Sequence, residues 1–135
     1  MPSKVLDSFA LIAYFRDESG AEDIEKMLIE ANRRGVSLLM SEVNYAEVKY
    51  SILRKDGTEA WAKARGVLQG LPVEFLPTSR QLADTAADFK TRFKLSLADA
   101  FAAALAKETR SELVTGDPEF KALAKEIKIH WVRQA

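Results

Sequence analysis

A chain of 135 residues, 47% hydrophobic and 30% charged, has the size and composition of one soluble globular domain with room for a sizeable core. Its 20 Lys plus Arg balance 20 Asp plus Glu, so no global basic field advertises a nucleic-acid partner, and any phosphate contacts fall to a local patch. The absence of cysteine and the single histidine, His130, exclude disulfides, thiolate zinc sites, cysteine nucleophiles and polyhistidine metal sites; with no signal-peptide pattern and no long apolar run, the expected location is the cytoplasm, away from any membrane.

In chain order, residues 3–8 (SKVLDS) read as a short strand and 9–15 (FALIAYF) as a mostly buried helical segment. Residues 21–35 carry Ile24, Met27, Leu28 and Ala31 on one helical face, with Gly35 as a stop. A second strand, 36–41, leads into a helix over 42–57. Its apolar period runs through Val43, Ala46, Tyr50 and Leu53, and Lys55, Asp56 and Gly57 end it. A helix over 58–70 precedes a third strand, 72–77, bracketed by prolines. Two helices follow: 79–93, with Leu82, Ala86, Phe89 and Phe93 in register, and 96–109, apolar nearly all round. Strands at 111–117 and 127–132 complete the pattern. Trp61 and Trp131 read as packing residues and His130 as structural, while Phe89 and Phe93 suit either the core or a dimer face. No repeat or linker divides the chain. Strands alternating with single or paired helices predict parallel connections, hence an α/β fold of three layers. In such sheets ligands sit outside the carboxyl ends of the strands, near the point where strand order reverses.

Four acids answer to that rule. Asp7 closes the first strand and Asp117 the fourth. Each also fits a helix N-cap, and Pro118 suits the first helical position after such a cap. Asp99 is the only charge in the apolar stretch 97–106. Ser96 before it makes a capping-box-like pair, yet a carboxylate on so apolar a helix needs a partner. Glu47 lies mid-helix on the expected apolar face, where no cap accounts for it. Glu42, at the start of that helix, reads as an acid that complements the dipole. Asn44, one turn before Glu47, reads either as a holder of a carboxylate or water or as a plain surface amide.

Two carboxylates about 4 Å apart repel by on the order of 4 kcal/mol at an effective dielectric of about 20, so convergence of these acids asks for a cation. An all-oxygen donor set selects a hard one, Mg²⁺ or Mn²⁺, which keeps waters able to react and neutralises charge on a phosphodiester.

The motifs VLDSFALIAYFRDE, NYAEVKY, LSLADAFAAALA and LVTGDPEF, in that order over nearly the whole chain, resemble those of PIN-domain ribonucleases, and among them the VapC-type toxins of toxin–antitoxin pairs. The resemblance implies a single PIN-like domain over 1–135, with a parallel sheet of order 3-2-1-4-5 that brings Asp7 and Asp117 to one crevice. By position, Asp7, Glu47, Asp99 and Asp117 correspond to the family's metal-binding acids, and Ser8 and Thr115 to hydroxyls that orient a carboxylate or water. Phe9 departs from the pattern, since relatives often carry a small residue there, and its ring bears on substrate choice. The activity implied is Mg²⁺- or Mn²⁺-dependent cleavage of RNA, with Asp7, Asp99 and Asp117 as ligands and Glu47 as a further ligand or general base. A VapB-like antitoxin and a homodimer are the implied partners. Lys49, Arg54, Lys55, Arg92 and Lys94 are candidate phosphate contacts, or simply a solvated face. Three other readings compete: a phosphoryl-accepting receiver domain, which would want paired acids after the first strand; a PIN nuclease of RNA processing; and a non-catalytic RNA- or protein-binding module of the same fold.

Overall fold

The computed structural model describes residues 3–133; the outermost positions of the expected domain, 1–2 and 134–135, lie outside the described residues. The elements run β1 (Lys4–Leu6), α1 (Ser8–Arg16), α2 (Ala21–Arg34), β2 (Leu38–Ser41), α3 (Glu42–Asp56), α4 (Thr58–Leu68), β3 (Val73–Leu76), α5 (Arg80–Arg92), α6 (Leu97–Thr109), β4 (Glu112–Thr115), a 3-10 helix (Pro118–Leu123) and β5 (Ile129–Trp131). The five strands form one sheet of order β3-β2-β1-β4-β5, and every neighbouring pair is parallel. β1 sits at the centre. The chain builds outward from it on one side through β2 and β3, then crosses to the other side at β4. The reversal of strand order therefore falls between β1 and β4, where Leu6 pairs with Val114.

Side-chain alternation along the strands divides the core into two. Val5 and Leu113 face a cluster built on α5 and α6, with Leu82, Phe89, Phe101 and Phe120. Leu6, Val114, Leu38 and Met40 face the opposite cluster, built on α1 to α4 with Leu11, Ile24, Ile52 and Trp61. One core was expected from length, and the sheet splits it. The alanines of α6 matter for position: Ala100, Ala102, Ala103, Ala104 and Ala106 are all buried, and their small side chains let this helix pack close to both α5 and the sheet. That brings the N-terminal turn of α6 up to the carboxyl edge of β1.

Local signals explain most boundaries. Ser41, Ser79 and Ser96 each cap a helix by accepting from the backbone N–H three residues on. Gly35 ends α2 in the left-handed conformation. Gly20 combines a φ of 98° with a tight approach, because a Cβ there would lie 2.5 Å from Val132 Cγ1. Two expectations need correction. The buried face of α3 is Asn44, Val48 and Ile52, whereas Ala46 and Tyr50 of the expected stripe are exposed. The helix rolled toward Asn44 because that amide finds its partners inside, as described below. Trp131 is 40% exposed at the edge strand β5, so it is not a core residue, while Trp61 is buried. The helix expected after β4 is present, capped by Asp117 with Pro118 in its first turn, and is of the 3-10 kind.

Candidate metal centre

Each of the acids arrives at the carboxyl edge of the sheet on a different element. Asp7 is the first residue beyond β1 and caps α1, its Oδ1 accepting from Ala10 N–H at 2.8 Å. Thr115, the last residue of β4, stands across the reversal point. Its hydroxyl donates to Asp7 Oδ2 at 2.5 Å and accepts from the Asp117 N–H at 3.0 Å. A rotor that accepts on one side has its proton directed to the other, so Thr115 ties the two strand-end acids together. Asp117 is itself a cap, accepting from Glu119 N–H at 2.9 Å, with Pro118 in the first position of the 3-10 helix. Asp99 rises from the first turn of α6, whose cap Ser96 accepts from its N–H at 3.1 Å. The capping readings and the ligand readings are thus compatible at Asp7 and Asp117. The cap uses one carboxylate oxygen and leaves lone pairs to spare.

The carboxylates of Asp99, Asp117 and Glu119 offer oxygens that all lie within 4.8 Å of one another. Asp7 and Glu47 stand outside this closest triad, yet both act electrostatically on Asp99 or are acted on by it. Asp7 is 1% exposed, and burial, opposed by Thr115 and Ala10 and reinforced by Asp99 and Asp117, pushes its carboxyl up to about 7. Asp99 is raised to about 6, first by burial and then by the charge of Asp117, with Glu47 and Glu119 adding to it. The charges named as raising these two carboxyls are neighbouring acids: Asp99 and Asp117 on Asp7, and Asp117, Glu47 and Glu119 on Asp99. An all-oxygen cluster such as Asp99, Asp117 and Glu119 could hold a hard divalent cation.

Glu119 did not stand out in the sequence. An exposed acid two residues after Asp117 reads as an ordinary helix-start charge, and only the capped turn, which folds the chain back on Asp117, brings it to the triad. Glu47 is half-buried on the flank of α3 rather than central to its apolar face.

Asn44 takes neither of the roles expected of it. It is fully buried, and its Nδ2 donates both to Ser8 Oγ at 2.9 Å and to the Ala98 carbonyl at 3.0 Å, while Ser41 Oγ donates to its Oδ1 at 2.5 Å. One amide thereby joins the starts of α1, α3 and α6. Ser8 engages Asn44 rather than a carboxylate. Among the candidate cations, Arg92 is held in a two-pronged pair with Glu126 at 2.7 and 2.8 Å and lies over the Phe89 and Phe93 rings, and Lys49 lies over Trp61. His130 faces Asp23 at 3.5 Å, in keeping with a structural role.

Comparison with known proteins bears on this arrangement. The PIN domain family matches residues 4–126. No curated protein matches the chain in sequence. Among solved structures, the chain is similar to a toxin–antitoxin complex from Klebsiella pneumoniae, with a TM-score of 0.74 and 20% identity over 98% of this chain and 100% of that one. It is similar to VapBC2 from Rickettsia felis bound to a fragment of promoter DNA, with a TM-score of 0.77 and 15% identity over 95% and 98%. A third is Mycobacterium tuberculosis VapC20, described as a sarcin-ricin loop cleaving toxin, with a TM-score of 0.71 and 18% identity over 89% and 94%. At such identities the likeness is one of fold. With the parallel order β3-β2-β1-β4-β5 and a family match over most of its length, the chain belongs to the PIN domain family.

Proposed function

We propose that this chain is a metal-dependent endoribonuclease, the toxin of a VapBC-type toxin–antitoxin pair, acting as one domain in the cytoplasm. The observation that carries the reading is the convergence of carboxylates from four elements at the sheet's reversal point, where burial and neighbouring acids raise Asp7 and Asp99. Asp7, Asp99 and Asp117 would hold Mg²⁺ or Mn²⁺, with Glu47 as a further ligand or base and Glu119 completing the acid triad. When bound, such an ion supplies charge neutralisation at the phosphodiester and a more acidic water.

The chain's own residues do the rest. Thr115 fixes the Asp7 carboxylate and aligns Asp117 with one hydroxyl. Asn44 keeps the starts of α1, α3 and α6 in register, and so sets the distance of Asp99 from Asp7. Glu47 would serve either as a further ligand or as the base that takes the proton of the attacking water as the water oxygen bonds to phosphorus and the P–O bond to the leaving nucleotide breaks. A VapB-like antitoxin is the partner that the VapBC likenesses favour, covering the acids, and a homodimer is the expected assembly.

The test is cleavage of labelled oligoribonucleotides with Mn²⁺ and with chelator, by wild type and Asp99→Asn, alongside calorimetric titration of Mn²⁺ into both. Cutting and Mn²⁺ binding that both vanish in Asp99→Asn are the expected result. Folded wild-type protein that neither binds Mn²⁺ nor cuts would move the chain to the non-catalytic reading.

A further inference from the structure

Two bulky apolar side chains that neither core uses lie within two residues of the acids Asp7 and Asp99. Phe9, in the first turn of α1, is 38% exposed, the most exposed position of that helix. Leu97, the first residue of α6, is 55% exposed, and the nine residues after it are buried or half-buried. Lone exposed apolar residues are ordinary. This pair is different because of where the two sit. Ser8, beside Phe9, and Ala98, beside Leu97, are both bonded to the same Asn44 nitrogen, at 2.9 and 3.0 Å. Phe9 is also two residues from Asp7, and Leu97 two from Asp99. The first turn of a helix favours small polar or acidic residues, so two apolar ones at adjacent helix starts run against local preference, as a contact surface does.

We propose that Phe9 and Leu97 form an apolar lip that grips an unstacked nucleobase beside the scissile phosphate, making Phe9 the residue that selects unpaired over paired RNA; this rests on the ribonuclease reading. A base in a duplex is stacked on both faces and offers no face to a ring. A base in a single strand or loop is free to lie on one, and stacking on an aromatic side chain is a sequence-tolerant source of affinity. The lip also compensates for the site's chemistry. The acids repel the phosphate backbone until a cation is bound, and stacking adds affinity without adding charge.

The test uses two readouts. One is kcat/KM with Mn²⁺ on an oligoribonucleotide, single-stranded and annealed to its complement, for wild type, Phe9→Ala, Phe9→Trp, Leu97→Ala and Asp99→Asn. The other is quenching of 2-aminopurine placed along the single strand, read by binding alone. Phe9→Ala is expected to lower kcat/KM on unpaired RNA by about tenfold and to abolish the quenching, while Phe9→Trp retains both. An abasic nucleotide next to the cut should depress the wild type to the same level and leave Phe9→Ala no worse. Unchanged kcat/KM and unchanged single-strand preference in Phe9→Ala would overturn the lip while the nuclease stands. The same holds if Phe9→Ala and Leu97→Ala spare RNA but weaken a protein partner. Phe9-dependent quenching without cleavage, or cleavage surviving in Asp99→Asn, would keep the lip and remove the nuclease assignment. Neither quenching nor cleavage would remove both.

Discussion

Asp7 shows how far burial alone sets the behaviour of a carboxyl. Its folded value of about 7 lies above the ordinary 3.8, with burial as the largest cause, so ionisation opposes folding. The contribution is absent at pH values below about 4 and grows as pH rises toward 7. Fully developed, it destabilises the metal-free protein by on the order of 4 kcal/mol at most. Asp99 has the same sign with its half-exposed carboxyl. The Asp7→Asn protein should therefore melt higher than wild type at pH 8 in chelator and match it more closely at pH 4, while losing Mn²⁺ binding; thermal melts at the two pH values check this. Thr115 is the counterweight. Its hydrogen bond stabilises the charged form of Asp7, so Thr115→Val should cost about 2 kcal/mol at pH 8 in urea titration, and less at pH 4 where the acceptor is neutral.

At the scale of elements, what holds the acids together is largely Asn44. Its bonds to Ser8, Ser41 and Ala98 are made by a buried side chain, and among the described residues no buried side-chain polar atom lacks a partner. Replacing the amide with an apolar side chain of similar size removes the donor to Ser8 Oγ and the Ala98 carbonyl and the acceptor of the Ser41 hydroxyl, leaving these two serines only their bonds to the backbone of residue 44. Asn44→Leu should cost about 3 kcal/mol by urea unfolding, and in residual folded protein it should weaken Mn²⁺ affinity more than Phe9→Ala does. The turn before α2 offers a packing counterpart. Gly20→Ala meets both a left-handed backbone and Val132, and should lower stability by about 2 kcal/mol without touching Mn²⁺ affinity.

For the whole molecule, the proposed function makes metal and proton competitors for one set of oxygens. Mn²⁺ at about 100 times its dissociation constant should stabilise the fold by about 2.7 kcal/mol, or roughly 8 °C in melting temperature for a chain of this size. The gain should be larger at pH 8 than at pH 5.5, because Asp7 and Asp99 must release protons to bind. A melting temperature that Mn²⁺ raises equally at both pH values, or equally in Asp99→Asn, would place the ion elsewhere. Among the described residues no helix is long and apolar enough to cross a membrane.

The sequence by itself determined the elements and their order. Period-2 and period-3.6 patterns, serine caps and glycine stops are local, and alternation of strand with helix leaves parallel pairing as the outcome. It also marked Asp7, Glu47, Asp99 and Asp117, two at the strand ends where ligands sit in such sheets and two on helix faces expected to be apolar. Only the tertiary structure decided how α3 rolls, because the buried face of that helix is chosen by hydrogen-bond partners on α1 and α6 that sequence spacing does not reveal. It alone brought Glu119 to the triad, through a capped turn rather than through periodicity. And it alone brought Ser8 and Ala98, far apart in the chain, to one amide nitrogen across the packing of two helices.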